Sequence, residues 1–116
     1  MINRAVVILK YQQVAVDWIN DADPYDEDPG IKLDAVNSER TVYLVHEDVA
    51  DSPDGLSEWI KANYKALFEI ELESWYVDPS LWPKEQTLKQ FNKWFTAECH
   101  SVIEDTLDEP IVDDGL

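Results

Sequence analysis

Glu71 is the residue whose position is hardest to reconcile with its chemistry. In a helical reading of the surrounding sequence, at 100° per residue, it falls inside an apolar arc, between Ile60 and Leu67 on one side and Tyr64 and Trp75 on the other. A carboxyl group there must find hydrogen-bond partners or hold its proton, because an isolated buried charge is very expensive. Two readings follow. Glu71 either sits at the margin of the buried stripe or pairs with a Tyr, Trp or His, or else it forms the polar floor of a ligand-binding pocket. In the second case Tyr64 on the same helix and His100 from a strand packed beneath it are the expected companions. No catalytic residue is assigned.

Other chemistry was sought at the spacings it requires. Cys99 and His100 are neighbours, but adjacent residues point to opposite faces of a strand, so they form no nucleophile–base pair. None of the paired Cys or His spacings of a zinc site is present, and no glycine lies in a phosphate-cradling motif. The stretch from Asp21 to Asp28 is rich in acids and interrupted by Pro24. Aligned from Asp21 on a calcium-binding EF-hand loop, it places Tyr25 at the fifth position, Asp26 where glycine is needed, and Lys32 at the twelfth. The template fails, leaving a solvated acidic loop or a loose cation site. No metal and no cofactor are expected.

The helix that carries Glu71 organises the chain. Ser52-Pro53 is a helix start, with a capping oxygen followed by a proline whose missing donor costs nothing at the first position. Leu56, Trp59, Ile60, Tyr64, Leu67, Phe68, Ile70 and Trp75 recur at helical spacing, and Asp78-Pro79 stops the run. About 22 residues of helix span about 33 Å.

Before it, Arg4 to Lys10 reads as a buried strand at the centre of a sheet, Tyr11 to Asn20 as a helix, and residues around Leu33–Val36 as a helical turn. Thr41 to His46 is a second strand, rich in β-formers. After it, Leu81-Trp82 pins the chain to the core. Thr87-Leu88-Lys89-Gln90 is a capping box opening a helix with Leu88, Phe91, Trp94 and Phe95. Cys99 to Leu107 reads as a third strand. The fold class is therefore α+β: a small sheet of about three strands with helices on one face, in the order β-α-β-α-α-β. Residues 1–107 form one domain, and residues 108–116 an acidic tail expected to fray.

The 116 residues carry a net charge of −16, which argues against direct binding of nucleic acid or anionic membrane. Lys84, Lys89 and Lys93 make the one local basic patch visible along the chain. With 45% hydrophobic residues and five Trp the chain is not a disordered acidic protein. No apolar run is long enough for a signal peptide core or a membrane span, so a cytoplasmic location is expected.

Asp17-Trp18-Ile19-Asn20, Thr41-Val42-Tyr43-Leu44, the Trp59, Tyr64, Leu67-Phe68-Glu69, Glu71-Leu72 and Trp75 spacing, Leu81-Trp82-Pro83, and Phe91, Trp94-Phe95 and His100-Ser101 form a distinctive set. With it the chain resembles a family of small acidic bacterial proteins of uncharacterised function. The resemblance implies a cytoplasmic bacterial domain and brings no activity or ligand.

Three functions fit these observations. The first is a non-enzymatic protein-interaction domain, with a basic partner or with a second copy of itself, to which the aromatic stock would lend interface anchors. The second is a DNA mimic that inhibits a nucleic-acid-binding protein. The third is a small-molecule binder or enzyme built on Glu71, with Tyr64 and His100.

Overall fold

A computed structural model describes residues 1–23 and 30–115. The β-branched run near the N-terminus forms β1 (Arg4–Tyr11), the central strand of a three-stranded antiparallel sheet in the order β2-β1-β3. Its odd residues, Ala5, Val7, Leu9 and Tyr11, are buried in the hydrophobic core. Helix α1 (Gln13–Asp21) follows, then α2 (Leu33–Asn37) and edge strand β2 (Val42–His46). A 3-10 turn (Glu47–Ala50) leads into α3 (Pro53–Trp75), a second 3-10 turn (Pro79–Leu81), α4 (Leu88–Trp94) and the other edge strand, β3 (Phe95–His100). The α+β architecture with a small sheet is the one expected.

Helix α3 runs unbroken for 23 residues, about 34 Å. Ser52 Oγ accepts from the Gly55 N–H at 3.1 Å and Pro53 opens the helix. Leu67, Phe68, Glu71 and Leu72 are its buried residues, while Leu56, Trp59, Ile60, Tyr64 and Trp75 pack half-buried against the core. Ile70, placed on the apolar face by spacing, lies on the solvent side. Thr87 Oγ1 caps α4 by accepting from the Gln90 N–H at 3.1 Å, the forward half of the capping box.

Two boundaries differ from expectation for the same reason. Tyr11 was expected to begin a helix, and Phe95 to continue one. Instead the two residues pair across β1 and β3, their rings 4.9 Å apart, and the Gln12 N–H donates to the Trp94 carbonyl at 2.8 Å. This cross-strand aromatic pair holds both residues extended, overriding helical spacing. The third strand consequently occupies Phe95–His100, not Cys99 to Leu107.

Residues 101–115 have no regular structure. Its last ties to the body are the Ile2 N–H to the Ile103 carbonyl at 2.8 Å and the N-terminal amine to Glu104 at 2.8 Å. The radius of gyration, 15.8 Å, exceeds the roughly 13 Å of a compact chain of this length. Residues 104–115, all exposed, continue past these ties as a C-terminal arm.

The tryptophans belong to the interior. Trp94 is buried, and Trp18, Trp59, Trp75 and Trp82 pack against the core. Trp18 Nε1 donates to the Leu81 carbonyl at 3.0 Å and Trp82 Nε1 to the Tyr76 carbonyl at 2.7 Å, the expected pin after the central helix. Among the described residues the exposed large hydrophobic side chains are Met1 and aliphatics, none aromatic.

Candidate functional site

Glu71 is 4% exposed and reaches the sheet from the inner face of α3. Two tyrosines meet it there. Tyr11 ends the inward row of β1, and Tyr43 of β2 stands opposite the inward-facing Val7. Tyr11 Oη donates to Glu71 Oε2 at 2.7 Å, and Tyr43 Oη donates to Oε1 at 2.6 Å. Trp75 lies one helical turn beyond Glu71 and donates its Nε1–H to Tyr11 Oη at 3.0 Å. Both carboxyl oxygens are thus engaged by the protein itself, which resolves the cost of burying them.

The tyrosines are held in the donating form. Burial, reinforced by the charge of Glu71 and the hydrogen bond to it, pushes the Tyr11 phenol far above its ordinary value. Burial followed by the Glu71 hydrogen bond does the same at Tyr43. Neither phenol is poised to act as a base or nucleophile near neutral pH. A cleft of about 400 Å³ opens beside this cluster, with Tyr11, Glu71, Ser74 and Trp75 on one wall and Arg40 and Thr41 on the other.

A second feature lies on the opposite side of the sheet. Val6 stands across from Leu44, and Ile8 from Val42, in a contiguous aliphatic block on the face turned away from the core cluster. Val42 is 54% exposed and Leu44 53%. Arg4 and His46 border the block at one end and Lys10 and Thr96 at the other. Along β3 run Glu98 and His100. Arg40 Nη1 holds Glu98 Oε1 at 3.2 Å, and His100 Nε2 lies 3.6 Å from Glu98 Oε2. The Arg40 hydrogen bond, and then its charge, hold the Glu98 carboxyl below the usual carboxylate range. This face therefore carries Arg4 and Lys10, with Arg40 engaged by Glu98 and Asp48 lying 3.4 Å from His46 at one end, in a chain of net charge −16.

The chain matches no family model, no curated protein and no solved structure.

Of the expected companions of Glu71, the structure brings neither to it. Tyr64 lies two turns away along α3, about 10 Å, with its ring against Phe91 at 6.5 Å. His100 pairs with Val6 on the open face, whereas Cys99 pairs with the core-facing Val7, so strand alternation carries the imidazole away from α3. Cys99 is half-buried and burial raises its thiol, which leaves it a weak nucleophile. The missed partners, Tyr11 and Tyr43, carry a period-two signal: Ala5, Val7, Leu9, Tyr11 in one strand and Tyr43, Val45 in the other. Most of the acidic stretch, residues 24–29, lies outside the described residues. Among the described residues no cluster of three or more His, Cys, Asp or Glu could hold a metal ion, and no helix is long and apolar enough to cross a membrane.

Proposed function

We propose that this protein is a non-enzymatic interaction domain whose binding surface is the open face of the sheet. The observation that carries this reading is the exposed block of Val42 and Leu44, continuous with Ile8 and Val6 on the central strand. Scattered exposed aliphatics need no explanation, but a contiguous patch rimmed by polar groups is the usual mark of a docking site. The cationic rim adds selectivity, favouring a partner segment that is apolar and acidic. The Glu71 cluster supports the surface from behind, because it ties β1 and β2 to α3 beneath the strands on which the block is displayed.

The test is affinity capture from the native host with the full chain and with Leu44→Asp, each at two salt concentrations. Proteins retained by the wild type and lost by the variant are the expected result. Identical retained sets would remove the sheet face from the account. Because Leu44 is half-exposed, the substitution leaves the core intact.

A second reading takes the cleft beside Glu71 as a small-molecule site. Its volume of about 400 Å³ falls within the range of ligand pockets. Against it stands the engagement of both Glu71 oxygens by tyrosines. Loss of a bound metabolite from the purified protein on Glu71→Gln would favour this reading, and metabolite-free protein from both chains would end it.

A further inference from the structure

The open face and the C-terminal arm are complementary in chemistry. Residues 104–115 contain Glu104, Asp105, Asp108, Glu109, Asp113 and Asp114 and no Lys or Arg. Between these acids stand Leu107, Ile111 and Val112, which are 68%, 71% and 73% exposed. An arm of alternating acids and aliphatics thus projects from the same molecule that displays an aliphatic block edged by Arg4, Lys10 and Arg40. On the face, Val42 and Leu44 are half-exposed, whereas Val6 is buried at 6% exposure within the single chain.

We propose that the C-terminal arm of one copy lies across the open sheet face of a second copy, in a reciprocal exchange that makes a twofold-symmetric dimer. This rests on the reading of the sheet face as a binding surface and names its occupant. Leu107, Ile111 and Val112 cover Val42, Leu44 and the partly exposed Ile8, and the flanking acids meet Arg4 and Lys10. Eleven residues from Asp105 to Gly115 reach about 36 Å when extended, longer than the roughly 26 Å of an eight-residue strand. The arm leaves the body beside Ile2, at the end of the sheet where β1 begins. To cover its own face it would have to reverse direction there, whereas an arm that continues outward meets a neighbour. Exchange also repeats the contact twice, which helps a short arm approach the roughly 1,200 Å² of a stable interface. Two chains of net charge −16 repel at long range. That repulsion is screened beyond about 8 Å at physiological salt, so the local cationic rim decides the contact.

Sedimentation equilibrium of the full chain tests the exchange, against a tail variant (Leu107→Ser, Ile111→Ser and Val112→Ser together) and a face variant (Leu44→Asp). All four positions are exposed, so both variants fold, as far-ultraviolet circular dichroism will verify. The expected result is a wild type of twice the chain mass and two monomeric variants. Lys10→Glu is expected to weaken the dimer about fivefold, the scale of an exposed ion pair. A tail variant that remains dimeric while the face variant is monomeric overturns the exchange but leaves the face as the binding surface. Two dimeric variants overturn both. A monomeric wild type also overturns the exchange, and the capture experiment then judges the face alone.

Discussion

Glu71 shows how one polar residue can be accommodated inside an apolar stripe. Its carboxyl group accepts from Tyr11 and Tyr43, and Trp75 donates to Tyr11 in turn, so the cluster is a closed chain of hydrogen bonds joining α3 to two strands. Glu71→Ala leaves buried Tyr11 and half-buried Tyr43 without an acceptor, and a loss of about 1–4 kcal/mol in urea unfolding is expected, about 1–3 kcal/mol from Tyr11 and less from the more exposed Tyr43. Glu71→Gln keeps one acceptor and should cost less. The same cluster sets an alkaline limit. Both phenols have folded-state values raised above the ordinary value near 10. Their contribution is therefore fully present below pH 10 and is lost as the pH rises towards the folded-state values, because only the unfolded chain then releases its protons. Stability should fall above about pH 10 by up to about 1.4 kcal/mol per pH unit for each phenol, with a smaller share from half-buried Tyr43, where solvent screens the interaction. Tyrosinate absorbance followed alongside unfolding checks this, and Tyr43→Phe should make the decline shallower.

At the scale of elements, what was legible in the sequence was local, and what was missed was paired across the sheet. Ser52-Pro53 and Asp78-Pro79 bound α3 through backbone rules that need no tertiary knowledge, and the helix is where they place it. Glu71 was visible as an anomaly for the same reason. Its tyrosine partners come from strands whose register no local pattern specifies, so helical proximity favoured Tyr64 instead. Phe95 and Tyr11 likewise take extended conformations because of each other. The cationic rim was hidden because Arg4, Lys10 and Arg40 come from two separated parts of the chain, whereas Lys84, Lys89 and Lys93 lie close together in sequence. One contact between elements makes a sharp prediction. A Cβ at Gly55, in the first turn of α3, would lie 3.0 Å from the Val49 carbonyl oxygen and 3.1 Å from that of Asp48, both in the preceding 3-10 turn. Alanine would gain up to about 1 kcal/mol in helix propensity. The approach to rigid backbone outweighs it, and Gly55→Ala should lower stability by about 1–3 kcal/mol, the cost of overpacking.

The whole molecule has two unlike sides. One carries the helices and the core cluster, including the tryptophans; the other shows half-exposed Val42 and Leu44 beside buried Val6, with Arg4 and Lys10 at its margin. Strong overall acidity pointed towards a basic partner, yet the surface best suited to binding selects an acidic one, and the chain's own arm supplies that chemistry. Tryptophan emission should accordingly be blue-shifted but partly quenched by added acrylamide, since Trp94 is buried and the other four tryptophans are half-buried on the helical side. The central claim, that the open face of the sheet is the surface used, is tested most directly by methyl NMR of the full chain on serial dilution. The methyl groups of Val42, Leu44 and Ile8 should shift together with those of Leu107, Ile111 and Val112, with one common midpoint, while core methyls such as Leu72 stay still. Sheet-face methyls that remain fixed while the molecule associates through another surface would contradict it.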